Sequence, residues 1–193
     1  MSRVLGPATS RPVPWKNGLG STLELASDAA APGGDWTWRL SIADVPVAAP
    51  FSEFPGVDRL LACLEGPGLR VERGGTFHAV PREGEALAFA GEEPVRGEPL
   101  GPGVRDVNLI FRRDRWRGRM TLARGRSLDV DGSLVLVHTP AFSPALRLHL
   151  ETDGGAVELA PGSTLLASGR VSLAASPAGA AVVCVLTTAP LGT

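Results

Sequence analysis

Lysine is almost absent from this chain of 193 residues: of 19 Lys and Arg residues, only Lys16 is a lysine. Glutamine and tyrosine do not occur, and asparagine stands only at Asn17 and Asn108. Cysteine appears twice, at Cys63 and Cys184, within apolar runs and without CxxC spacing. Such residues read as small buried hydrophobes of a reducing compartment, with a disulfide left open. No apolar run reaches the ~18 residues of a membrane-crossing helix. Met1 to Pro12 has no apolar segment of signal-peptide length, so the chain is expected to be cytoplasmic. A net charge of −1 exerts no global pull towards nucleic acid or an anionic membrane. His78, His138 and His149 form no HxH pair, and His149-Leu150-Glu151 is a weak HxE match; neither metal nor cofactor is expected. GxSxG elbow, P-loop and strand–GxGxxG–helix patterns are missing as well.

What is abundant is chain punctuation. With 24 Gly and 17 Pro, few windows remain for a long helix. Short β-rich runs recur instead, at roughly 8–12-residue spacing, which predicts an all-β sandwich or barrel. Trp36 to Ala43 alternates, placing Trp36, Trp38, Leu40 and Ile42 on a core face and Arg39 and Ser41 opposite. Leu69 to Glu72 and Thr76 to Val80 read as a hairpin around Arg73-Gly74-Gly75, and Glu92 to Gly103 as a polar loop. Val104 to Arg112 puts Asp106, Asn108 and Ile110 on one face. Asp131-Gly132 reads as a turn, and Ser163 to Ala167 and Val171 to Ala175 as two strands. The first half is rich in clustered polar groups and the second is more apolar, which predicts a site-bearing front half.

The densest polar cluster is Pro14-Trp15-Lys16-Asn17-Gly18-Leu19-Gly20-Ser21-Thr22-Leu23-Glu24. It places the single lysine beside one of two asparagines. Lys is a flexible point charge and Arg a planar fork, so the two are not interchangeable at a shaped site. Convergent polar groups of this kind orient small ligands; a solvated turn in a biased composition accounts equally well for the cluster. Arg39, if it points into a barrel mouth, needs an anionic partner: Glu24, Asp106 or a ligand carboxylate. A solvent-facing arginine is the plainer alternative, and Arg59 beside Asp58 poses the same choice. Asn108 offers both donor and acceptor, to a ligand or to a turn. The Arg-rich run 112–126 faces an acidic segment 83–98 that can neutralise it, so direct nucleic-acid binding is not expected.

Five blocks carry a family resemblance: Trp15 to Glu24; Trp38-Arg39-Leu40-Ser41-Ile42-Ala43; Ala49-Pro50-Phe51-Ser52; Phe54-Pro55-Gly56-Val57-Asp58-Arg59; and Asp106-Val107-Asn108-Leu109 with Arg112-Arg113. In order and spacing they resemble the HutD/Ves family of cupin-fold proteins. Leu19 stands where the family usually has glycine, and Ser21 where threonine is common. The resemblance implies a bicupin, a cupin-type double-stranded β-helix in two barrel-like halves, often without a metal. The halves are expected at residues 1–115, carrying the site, and 116–193. It also implies a regulatory factor of histidine utilisation binding an intermediate such as urocanate or formylglutamate.

The expected site is therefore Trp15 as a wall, Lys16 with Arg39 or Arg59 holding a small anionic metabolite, and Asn17, Thr22, Ser41 and Asn108 giving directional hydrogen bonds. Glu24 would orient the cations or meet an amino group of the ligand. No nucleic-acid or membrane partner is expected, and a homodimer is left open. Two rivals stay open: a hydrolase or isomerase using Glu24 as base, and an interaction scaffold docking through Arg115 and Arg117.

Overall fold

Turn residues cut the chain into eighteen strands and one 3-10 turn, Pro7–Thr9, among the residues that the computed structural model describes, namely 2–14, 21–30, 34–151, 155–174 and 176–190. The strands are β1 (Arg3–Leu5), β2 (Arg11–Pro14), β3 (Ser21–Ser27), β4 (Trp38–Asp44), β5 (Ala49–Pro50), β6 (Val57–Glu65), β7 (Leu69–Arg73), β8 (Thr76–Ala79) and β9 (Gly84–Glu85). They continue with β10 (Leu87–Ala90), β11 (Val95–Pro99), β12 (Arg105–Arg112), β13 (Trp116–Arg124), β14 (Leu128–His138), β15 (Leu146–Leu150), β16 (Gly155–Leu159), β17 (Thr164–Leu173) and β18 (Ala180–Thr188). The all-β expectation holds. Among the described residues no helix is long and apolar enough to cross a membrane.

The chain divides into two compact units. One comprises Arg11–Arg82 and Ala86–Arg115, the other Met1–Ser10, Glu83–Glu85 and Trp116–Thr193. In the second unit the strand order is β16-β15-β17-β14-β18-β13-β9, with β1 added on β17. Its core is aliphatic, including Val135, Leu148, Leu159, Leu165, Val171 and Val183. A hollow of about 10 Å³ bordered by Leu146, Ser176 and Gly179 has room for little more than one water.

The first unit is built from a six-stranded sheet, β10-β6-β12-β4-β3-β2, and a four-stranded sheet, β5-β11-β7-β8. Leu61, Cys63 and Phe89 of the larger sheet pack with Leu69, Val71 and Val95 of the smaller one. Strand side chains alternate between faces, so the face that carries Leu61 and Cys63 continues along β6, β12 and β4 with polar residues. Both cysteines are buried, and neither forms a disulfide among the described residues.

Several local expectations need correction. The supposed polar loop at 92–103 contains β11: Val95 and Gly97 are buried, while Arg96 is exposed and Glu98 half-buried. Its carboxylate is consumed by cross-strand pairing, Arg70 gripping Glu98 through two bonds of 2.8 and 3.1 Å. Nearby, Arg73 does the same to Glu93, at 2.8 and 3.1 Å. Asp131-Gly132 is not a turn, because β14 runs through it with a register shift between Gly132 and Val135. Opposite Gly132 lies Gly169, whose positive φ of 79° lets β17 continue as one strand where two were expected. Trp36 lies before β4 and packs edge-on against Phe54, with centroids 6.0 Å apart, instead of joining Trp38 on the strand's core face.

Gly97 is a close approach with consequences for the first unit. A Cβ there would lie 2.9 Å from two ring carbons of Phe51. Replacing Gly97 by Ala should therefore cost ~1–3 kcal/mol of stability by overpacking, read as a lower denaturant midpoint; an unchanged midpoint would mean that the Phe51 ring swings aside freely.

Candidate functional site

Strand register lays the polar face out as a grid of three rows. In the first row Phe89, Arg59, Ile110 and Arg39 lie side by side on β10, β6, β12 and β4. The second row is Leu61, Asn108, Ser41 and Glu24. The third is Cys63, Asp106, Ala43, Thr22 and Val13. Members of all three rows, together with Pro50, Phe51, Ser52 and Phe54, line a cavity of about 190 Å³. That is small beside the ~300–1,000 Å³ pockets that take drug-sized ligands, and suits a compact metabolite.

Two guanidiniums enter this cavity. Arg59 is 7% exposed. It donates from Nη1 to the Ser52 carbonyl at 3.1 Å and more weakly from Nε to Asn108 Oδ1 at 3.4 Å. Its charge centre sits 4.9, 5.2 and 6.0 Å from the ring centroids of Phe51, Phe89 and Phe54, close enough for cation–π attraction. Burial brings its pKa down to about 10, with Asp106 opposing that fall and Arg39 adding to it. Arg39 lies 5.2 Å from the Trp36 ring and 5.8 Å from Phe54. Its pKa is also lowered by burial, against the attraction of Glu24. Its Nε is buried and has no hydrogen-bond partner among the described residues.

Against these two cations stands one buried carboxyl, Asp106, 2% exposed. Its Oδ1 has no hydrogen-bond partner among the described residues. Burial pushes its pKa up to about 7; Arg59 and the Ala43 backbone N–H pull the other way, and Asp44 adds to the rise. The cavity is thus cationic at the Arg row and carries a carboxyl of intermediate protonation at the far row.

Of the residues singled out from sequence, Thr22, Arg39, Ser41, Arg59 and Asn108 share this one cavity. Glu24 occupies the second row but does not line it; Ser27 Oγ donates to Glu24 Oε1 at 2.9 Å. Trp15, Lys16 and Asn17 lie outside the described residues. Sequence reasoning named Asp106 only as a potential partner for Arg39, although its place on the Asn108 face was legible from strand alternation. The roles of Phe51, Phe54, Phe89 and Trp36 as rings beneath the two arginines were missed. They come from three separate segments, and only the fold brings them together.

The histidines stay apart. His138 is buried with Nδ1 3.0 Å from Thr164 Oγ1, and no group of three or more His, Cys, Asp or Glu side chains that could hold a metal occurs among the described residues. In the Arg-rich run, Arg113 bridges Asp58 and Glu92 while Arg126 pairs with Glu83. Part of that charge is thus spent on the acidic segment.

The HutD family model matches residues 8–185. The chain belongs to the HutD family. It is 38% identical over 115 residues to an uncharacterised 21.2 kDa protein in the hutC 3′ region of Pseudomonas putida, a match spanning 60% of each chain. Protein Ves of Citrobacter koseri is 34% identical over 146 residues, covering 74% of this chain and 75% of that one. Among solved structures, a conserved protein of unknown function from Pseudomonas aeruginosa PAO1 superposes with a TM-score of 0.84 at 30% identity, covering 97% of this chain and 99% of that one. HutD from Pseudomonas fluorescens SBW25 gives 0.76 at 26% identity, with coverage of 98% and 100%. A cupin 2 conserved barrel domain protein from Leptotrichia buccalis, at 9% identity and a TM-score of 0.54, places this HutD-family chain in the cupin fold.

An unfolded aspartate titrates near ~3.9, whereas folded Asp106 holds its proton to about 7. The folded chain therefore binds more protons within that window, and its stability falls as pH rises through it, levelling above about 7. Asp106→Asn copies the protonated form in shape and should abolish this component. Thermal melts of wild type and variant at about pH 5 and pH 8 should show a smaller downward shift in the variant; equal shifts would rule Asp106 out as its source.

Proposed function

We propose that this HutD-family cupin binds a small carboxylate-bearing metabolite, of the urocanate or formylglutamate type, as a regulatory factor in histidine utilisation. The observation that carries the reading is charge imbalance in one cavity: Arg39 and Arg59 enter it with Asp106 as the buried carboxyl among the described lining residues. A ligand carboxylate supplies the missing anion. Ser41, Thr22 and Asn108 give directional hydrogen bonds around it, and Glu24 steadies Arg39 from outside the lining. Trp15, Lys16 and Asn17 keep the wall, charge and amide roles that the sequence argues for. The names of the relatives, HutD and a protein of the hutC region, support the pathway.

Titration calorimetry with urocanate and N-formylglutamate tests this. Arg39→Met should weaken binding by about tenfold or more, the scale of a lost charge-assisted hydrogen bond, and Lys16→Ala should weaken it in the same direction. Unchanged affinity in either variant removes that residue from the site.

One observation favours a second reading, acid–base catalysis. A cavity carboxyl with a pKa of about 7 is suited to proton transfer at neutral pH, which moves the candidate base from Glu24 to Asp106. Turnover of either metabolite that disappears in Asp106→Asn would favour an enzyme; tight binding without turnover favours the regulatory reading.

A further inference from the structure

The row pattern of the cavity contains more than an anion site. Along β12 the rows run from Ile110, flanked by Arg39 and Arg59, through Asn108 beside Ser41, to Asp106 beside Ala43 and Thr22. Cation, neutral amide and hydroxyl, then acid follow one another over four residues, about 13 Å of strand at ~3.3 Å per residue. The long arginine side chains shorten that gap, and the described hydrogen bonds of Arg59 go to Ser52 and Asn108, not to Asp106. Asp106 is therefore attracted by Arg59 but not capped by it. The Ala43 backbone N–H is the hydrogen-bonding neighbour that acts on the carboxyl, and Oδ1 is left with none among the described residues. A buried acceptor without a partner costs ~1–3 kcal/mol, and this one belongs to a residue that lines the cavity.

We propose, resting on the carboxylate reading above, that Asp106 is a specificity-determining residue that accepts a hydrogen bond from an N–H group of the same ligand, so that the cavity selects a dipolar molecule, carboxylate at one end and nitrogen-borne donor at the other, over a plain carboxylate. The carboxylate lies at the Arg39 edge and the N–H at the Asp106 carboxyl, with Asn108 and Ser41 along the span between. A molecule lacking the N–H leaves the buried oxygen dry and unpaired. Sites built to bond a ligand N–H reject its isosteres for that reason. The apolar members of the grid, Ile110, Ala43 and Val13, offer no polar group to compensate.

Two probe pairs separate the ideas. Urocanate and 3-(2-furyl)acrylate share a planar acrylate, but the second has no N–H; N-formylglutamate and glutarate differ by the formamido group. Wild type should bind the N–H member of at least one pair about tenfold or more tightly than its counterpart. In Asp106→Leu that preference should vanish, the affinity ratio within each pair falling to about one. Asp106→Asn keeps the shape of the site if the leucine variant does not fold, and should narrow the preference by about fivefold or more through loss of the charge. Equal binding within both pairs by wild type, or a full wild-type preference in the folded asparagine variant, overturns the role of Asp106 and leaves the anion site standing. Failure of all four probes to bind wild type overturns both.

Discussion

The rest of the first unit depends on two guanidiniums withdrawn from bulk water onto one sheet face, Arg59 buried and Arg39 half-buried. An arginine cannot shed its charge near neutral pH; even with Arg59 lowered to about 10 it remains a cation. Its desolvation must be offset locally, and the offsets are visible. The Ser52 carbonyl and the Asn108 amide oxygen accept from Arg59, Phe51, Phe54 and Phe89 surround it, and Asp106 draws it from two residues beyond Asn108. The offsets come from β12, β10 and the loop between β5 and β6, so the site and the fold are one set of constraints.

The sheet supplies a ruler for that arrangement. Antiparallel pairing with a side-chain period of two fixes which residues meet, and a slip of one residue would send every polar group to the other face. On β12 the opposite face carries Val107, Leu109 and Phe111, all at most 2% exposed. These anchor the register far more firmly than the polar row could. The same logic explains how β11 tolerates its charges: Val95 and Gly97 point inward, while outward Glu98 pairs with Arg70 and Arg96 donates to the Ala48 carbonyl.

Much of this was legible in the chain. Alternation at Trp38 to Ala43 and at Asp106 to Arg112 placed Arg39, Ser41 and Asn108 on the correct faces before any coordinates. The family blocks around Pro50-Phe51-Ser52 and Phe54-Pro55-Gly56 marked segments that border the cavity. The remainder depends on long-range geometry. Trp36 looked like the first residue of a strand because its spacing matched, but the backbone joins the sheet two residues later and frees the ring for Arg39. Charged side chains hid β11, since ion pairs across strands do the work that apolar alternation usually signals. Asp131-Gly132 read as a turn and residues 163–175 as two strands, but a bulge in one strand is matched to Gly169 in the other, so both strands run on.

The segment bearing Phe51 and Phe54 is stitched to the smaller sheet and to the end of β10 by two backbone bonds of 2.9 Å, Phe51 N–H to the Val95 carbonyl and Phe54 N–H to the Gly91 carbonyl. A wall fastened at both places before any guest arrives loses little conformational entropy when one enters. Encounter rates should therefore vary little among ligands of like charge, and discrimination between them should reside in how long each stays.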